Sequence, residues 1–164
     1  MNASELLSSF IFFLAVIDPI GSIPVFIAVT NGYDQAEKRH IAIRATIISA
    51  LILLFFVIAG EWILTATQVS LPSFQVAGGI VLFAFSMTMI FGEGKPEEEK
   101  KLVASGKETA VFPLAVPSIA SPGAMLAAVL QTENAKFNFT QQVGTTLVIL
   151  VVLVIALVFM LVAT

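Results

Sequence analysis

The chain contains no cysteine, which excludes disulfides, a thiolate nucleophile and a Cys-ligated metal. Histidine occurs once, as His40, so no histidine cluster can form, and no metal site is expected. Charge is also scarce. Only 12% of the 164 residues are Asp, Glu, Lys or Arg, against about a quarter in a soluble domain. The net charge of -3 gives no general basic field, so a nucleic-acid partner is not expected. What is present is apolar: 58% of the residues are hydrophobic and the mean hydropathy is +1.00. These values exclude a water-soluble globule and a disordered chain. The composition is that of an all-α integral membrane protein whose first partner is the lipid bilayer.

About 20 apolar residues cross the ~30 Å hydrocarbon layer as a helix. Five segments reach or approach that length: about 6–29, 41–64, 71–91, 111–130 and 143–162. The first contains one charge, Asp18, and the third and fourth contain none. Backbone groups in lipid must be satisfied internally, so helices are expected throughout. The segments lack the alternation of a membrane β-barrel. The first has no basic leader and carries Asp18 and two prolines, so it reads as a retained span rather than a signal peptide.

Lysine and arginine predict the orientation. Lys38, Arg39 and Arg44 lie in 30–44, and Lys95, Lys100, Lys101 and Lys107 lie in 92–110; the remaining basic residue is Lys136. Seven of the eight therefore fall on one side, expected to be cytoplasmic, which puts the N-terminus outside. The charge run Gly92–Lys101 reads as a solvated linker, with Glu97 and Lys101 spaced to pair on a short helix.

Two spans are interrupted in the same way. The first contains Asp18-Pro19-Ile20-Gly21-Ser22-Ile23-Pro24, and the fourth Pro117-Ser118-Ile119-Ala120-Ser121-Pro122-Gly123. Pro19 and Pro122 each remove an amide from the helix interior. Asp18 and Ser121 are N-cap types placed before a proline suited to the first helical position. Each span is thus expected to break and restart as a half-helix, with Pro19, Pro24, Pro117 and Pro122 holding the breaks open. The restart turns amides and a positive dipole end into the break, while freed carbonyls lie opposite.

The breaks lie 103 residues apart, in the first and fourth spans. That spacing predicts an inverted three-plus-three repeat, a transporter plan in which broken helices meet near the midplane. The expected organisation is one transmembrane domain, 1–164: a first repeat over about 1–91, a cytoplasmic linker over 92–110, and a second repeat over about 111–164 that lacks its sixth span. Ala120, Ala124 and Ala128 form a small-residue stripe suited to close helix packing, and Gly78 and Gly79 can serve likewise. Glu61 and Trp62 are expected at the outer interface, with Glu61 solvated, and Arg44 is expected to snorkel at the inner one.

The stretch Asp18-Pro19-Ile20-Gly21-Ser22-Ile23-Pro24-Val25-Phe26 resembles the Asn/Asp-Pro-x-Gly-x-x-Pro-x-Phe signature of the MarC family. Pro113-Leu114-Ala115-Val116-Pro117 with Ser121-Pro122-Gly123-Ala124 is similar to its second signature. The resemblance covers nearly the whole chain. It implies an inner-membrane protein of about six spans, related to LysE-type amino-acid exporters, with some members transporting glycine or alanine. The present chain departs from that pattern by ending about one span early.

Site physics fits that substrate class. The carboxylate of a small zwitterion suits half-helix amides near Gly21, Ser22, Ser121 and Gly123. Its ammonium suits Asp18 or freed carbonyls. Asp18 is the one ionisable residue near the centre of a span, which makes it the candidate for a coupling proton or sodium ion. No other cofactor is expected. Ser22, Ser118 and Ser121 have no evident activating base, so an enzyme is not expected. The expected function is secondary transport of small neutral amino acids, by a chain that can also self-associate. The alternatives are a non-transporting scaffold or accessory subunit, or a channel or exporter for another small solute.

Overall fold

The computed structural model describes residues 2–91, 110–134 and 136–164. The linker expected at 92–110, with its charge run and the Glu97–Lys101 pair, lies outside the described residues except for Ala110. The described elements are helices: α1 (Ala3–Ile17), α2 (Pro19–Val29), α3 (Gln35–Ala66), α4 (Leu71–Phe91), a wide-turned π-helical segment Ala110–Ile119, α5 (Pro122–Leu130) and α6 (Phe139–Val162). Three stretches have the length and apolarity of a span: Ala3–Val29, Gln35–Ala66 and Phe139–Val162. The π segment and α5 make a further bent pair, with 54° between them. The expected third segment is α4, whose apolar stretch is Leu71–Ala84.

Local chemistry sets the helix starts. Before α3, the Glu37 amide donates to Asp34 Oδ1 (2.7 Å) and the Asp34 amide to Glu37 Oε2 (3.1 Å). Before α6, Asn138 and Gln141 exchange the same pair of bonds. Both are capping boxes, which satisfy amides that a helix start otherwise leaves orphaned.

The second broken segment corrects the sequence expectation. A helix over 111–130 with a single break was anticipated, but Phe112 (φ -135°, ψ 129°) and Val116 (φ -132°, ψ 125°) are extended. Each precedes a proline, Pro113 or Pro117, and proline pushes its predecessor out of the α region. The interruption therefore runs from Phe112 to Ser121. Pro24 is the opposite case. Helix α2 continues through it, with the ring on the exposed side, so Pro24 does not widen the first break.

The ends of the elements define the topology. Ala110 shares a cavity with Tyr33, His40, Ile41 and Arg44 at the start of α3. At the other end of α3, the Asn134 amide donates to Glu61 Oε2 (2.9 Å). The second broken segment therefore runs from one end of α3 to the other. Ser4 and Glu5 of α1 lie beside Gln131 and Gln141, at the Glu61 end. The first broken segment thus runs opposite to the second, and α3 opposite to α6. The starts correspond as well: Pro19 and Pro122 are 103 residues apart, Gln35 and Phe139 104.

Packing follows the same relation. Helix α3 packs on both halves of the second broken segment and α6 on both halves of the first. Helices α3 and α6 pack together, α1 meets α5, and α2 meets the π segment. On α3 the buried face carries Ala42, Ala45, Thr46, Ser49, Leu53, Gly60 and Leu64. The opposite face carries exposed Leu51, Phe55, Ile58 and Trp62. Large apolar groups outside and small residues within are what lipid demands, because close approach rather than water exclusion holds membrane helices together. Ala120, Ala124 and Ala128 are fully buried, in keeping with a packing stripe.

Gly60 is one close approach: a Cβ there would lie 2.5 Å from Val129 Cγ2 of α5. Around Gly79 a Cβ would meet nothing within 4 Å. Replacing Gly60 by leucine is expected to cost about 1–3 kcal/mol, as overpacked cores do. Gly79→Leu is expected to stay within ~0.5 kcal/mol of the parent. Thermal unfolding in detergent measures both; equal losses would contradict the packing described.

Candidate functional site

The site is built where the two breaks touch. Asp18 ends α1 and begins α2. Its amide donates to the Leu14 carbonyl (3.1 Å), and its backbone adopts the left-handed conformation, φ 50° and ψ 68°. Aspartate is among the few residues besides glycine that tolerate that region. Its Oδ1 then accepts the Gly21 amide (2.9 Å), capping α2. Ser121 does the equivalent for α5, accepting the Ala124 amide on Oγ (3.1 Å). Pro19 and Pro122 each occupy the first helical position after these caps.

Serines join the two breaks. The Ser118 hydroxyl donates to Ser22 Oγ (3.3 Å), and the Ser121 hydroxyl to the Val16 carbonyl (3.5 Å). Ser22 in turn donates to the Asp18 carbonyl (3.1 Å). From α3, Ser49 donates to the carbonyls of Ala45 (2.9 Å) and Ala115 (3.4 Å), the latter within the irregular backbone. Ser22, Ser49 and Ser118 are fully buried, and Ser121 nearly so. Asp18 itself is half-buried. The cluster thus places four hydroxyls, two half-helix starts and one carboxylate around irregular backbone inside the bundle. Helix-start amides can take an anionic oxygen, and the hydroxyls can do so on giving up these internal bonds; the carboxylate and carbonyls can take an ammonium or a metal cation.

The two glycines have different work. At Gly21 a Cβ would fall on the Asp18 carboxylate, so glycine there makes room for the cap. At Gly123 a Cβ would lie 2.9 Å from Leu82 Cδ2 of α4 and 3.4 Å from Val16 Cγ1 of α1. Gly123 thus marks a close approach of three elements. Pro117 lies in the π segment directly before Ser118 and helps set its irregular path. Pro24 stands apart, within α2.

Some of the polar network was not legible. Ser49 lies mid-helix, and nothing in its neighbourhood marks the Ala115 carbonyl as its partner. Glu61, expected to be solvated, holds the connection between α5 and α6 through Asn134. Glu133 in that connection is buried, with Oε2 3.4 Å from Lys136 Nζ. A short Glu-x-x-Lys spacing was its only sequence signal.

A family profile described as "MarC family integral membrane protein" matches residues 3–164. Among curated relatives, a UPF0056 membrane protein of Methanocaldococcus jannaschii is 33% identical over 138 residues, covering 82% of this chain and 67% of the relative. One from Archaeoglobus fulgidus is 37% identical over 131 residues, covering 78% and 62%. The inner membrane protein YhgN of Escherichia coli K12 is 30% identical over 119 residues, covering 73% and 59%. The matched part of this chain thus spans about three-fifths to two-thirds of each of these relatives. No solved structure matches the chain significantly.

The cap at Asp18 can be separated from its charge. Asparagine accepts the Gly21 amide equally well and tolerates the left-handed backbone, so Asp18→Asn is expected to unfold within ~0.5 kcal/mol of the parent. Asp18→Ala loses both properties and is expected to cost about 0.5–2 kcal/mol. Thermal unfolding of the two variants side by side checks this; equal stability would remove the cap from the account.

Proposed function

This chain belongs to the MarC family of integral membrane proteins, and on that premise we propose that it is a secondary transporter of small neutral amino acids. The observation that carries the reading is the meeting of the two breaks. Ser118–Ser22 and Ser121–Val16 hydrogen bonds link irregular backbone from two oppositely running segments. That is the arrangement from which alternating access around a central site is built. The substrate carboxylate binds the amides that open α2 and α5 and draws the Ser22, Ser118 and Ser121 hydroxyls away from their internal acceptors. The ammonium, or a coupling proton or sodium ion, is taken by Asp18. Gly21 and Gly123 keep the approach to those groups narrow. No cofactor enters the cycle, and the protein is not an enzyme.

In this reading the protein resides in the inner membrane, as the name of its relative YhgN states for that protein. The end carrying Lys38, Arg39 and Arg44 faces the cytoplasm, by the rule that basic loops stay inside. The N-terminus and the Glu61–Asn134 contact then face outward.

A second reading is favoured by one contact. The Asp18 carboxylate already accepts the Gly21 amide, as it would in a scaffold or accessory subunit that binds no solute. Uptake of labelled glycine and alanine into proteoliposomes, with and without proton or sodium gradients, separates the two. Gradient-driven uptake is expected, and Asp18→Asn should reduce it by about tenfold or more, the loss of one contact worth ~1.4 kcal/mol. Folded protein that takes up neither amino acid under any gradient supports the scaffold. Undiminished uptake by Asp18→Asn moves the ion site elsewhere.

A further inference from the structure

A second polar feature lies away from the breaks, at the Glu61 end of the bundle. It is an open cleft of about 570 Å³ between the first turns of α1, the first turns of α6 and the end of α5. Two of its lining residues, Ser9 and Thr145, are more than nine-tenths buried, at 8% and 2% exposure.

Their hydroxyls differ from the other buried hydroxyls. A buried serine or threonine in a helix ordinarily satisfies itself by bonding back to the carbonyl four residues earlier. Thr30, Thr46, Ser49 and Thr132 do so, and Ser22, Ser118 and Ser121 bond within the break cluster. Among the described residues, Ser9 and Thr145 are the two buried serine or threonine residues whose hydroxyls have no protein partner, and neither hydroxyl oxygen is fully enclosed, so each stays open to the cleft. Both face the same cleft. With no carbonyl or side chain of the protein holding them, these two hydroxyls are left to donate to or accept from whatever occupies the cleft.

The rest of the lining defines what that something is. Glu5 gives one carboxylate oxygen to the Asn2 amide (3.1 Å), leaving Oε1 for a ligand. Phe12 and Phe137 add aromatic faces. A carboxylate beside aromatic rings suits an ammonium group. Gln131, whose carboxamide makes no hydrogen bond among the described residues, and the two hydroxyls supply donors for an anionic oxygen. We propose that this cleft is a binding site, distinct from the breaks, for a small zwitterionic group: an ammonium with a carboxylate or phosphate close by. A free amino acid has that chemistry, and so does the headgroup of phosphatidylethanolamine. The site stands or falls independently of transport.

The absence of cysteine makes the test direct, because an introduced thiol is the only one in the protein. Ser9→Cys and Thr145→Cys are prepared separately, with Thr65→Cys as a control, exposed at the same end and outside the cleft. Each is reconstituted in phosphatidylglycerol nanodiscs, and its modification by a polar maleimide is timed. About 10 mM glycine or O-phosphoethanolamine is expected to slow modification at both cleft positions by about fivefold, as near-saturation of a millimolar site would. The control should not change.

Protection by the soluble probes assigns a free solute. Protection only when phosphatidylethanolamine replaces phosphatidylglycerol assigns the lipid headgroup; both outcomes support the site. The proposal is overturned if neither probe nor lipid protects either thiol, or if both thiols fail to react in the unliganded protein. Repeating the assay with Asp18→Asn added separates this site from the central one. Protection should persist in that background even where uptake is lost.

Discussion

Backbone polar groups released inside a membrane span have to find partners within the protein. Every feature around the two breaks follows from that demand. Pro19 and Pro122 interrupt the helical ladder. Asp18 and Ser121 answer the amides that the restarting helices expose. Ser121 and Ser49 answer carbonyls at Val16 and Ala115. Because several of these partners belong to another element, each break is completed by its neighbours. Repair of the backbone and assembly of a polar centre are therefore the same event.

The remainder of the bundle serves that assembly. Ser49 reaches Ala115 because α3 packs closely along the second broken segment, and Gly60 meeting Val129 is a further point of that contact. Leu51, Phe55 and Ile58 face outward, where lipid covers them. Helix α6 does for the first broken segment what α3 does for the second. The two segments run in opposite directions, so the amide ends of α2 and α5 approach the centre from opposite sides. The polar centre is thereby flanked by two equivalent half-helix starts, the geometry on which the proposed alternating access rests.

What was legible in the sequence was local. The pairing of Asp18 with Pro19 and of Ser121 with Pro122 follows from capping and proline chemistry, which act within four residues. The extended backbone at Phe112 and Val116 is open to the same reasoning, since each precedes a proline, but the capping pattern marks only Ser121. Pro24 points in the other direction, because a helix can continue through a proline whose ring lies on its exposed side. Contacts across the bundle were not legible. Ser118 meets Ser22 from 96 residues away, and Glu61's bond to Asn134 leaves no periodic trace. The unpaired state of Ser9 and Thr145 is likewise visible only once neighbouring helices are in place.

The central claim is that the two breaks meet inside the bundle. Disulfide trapping tests it most directly, because Ser22 and Ser118 bring their Oγ atoms to 3.3 Å in a chain with no native thiol. The Ser22→Cys/Ser118→Cys double variant, kept in membranes and treated with a lipid-permeable oxidant, is expected to cross-link nearly completely. Ser22→Cys paired with Ser86→Cys of α4 is expected to remain reduced. Failure of the first pair to close, or equal closure of the second, would contradict the account.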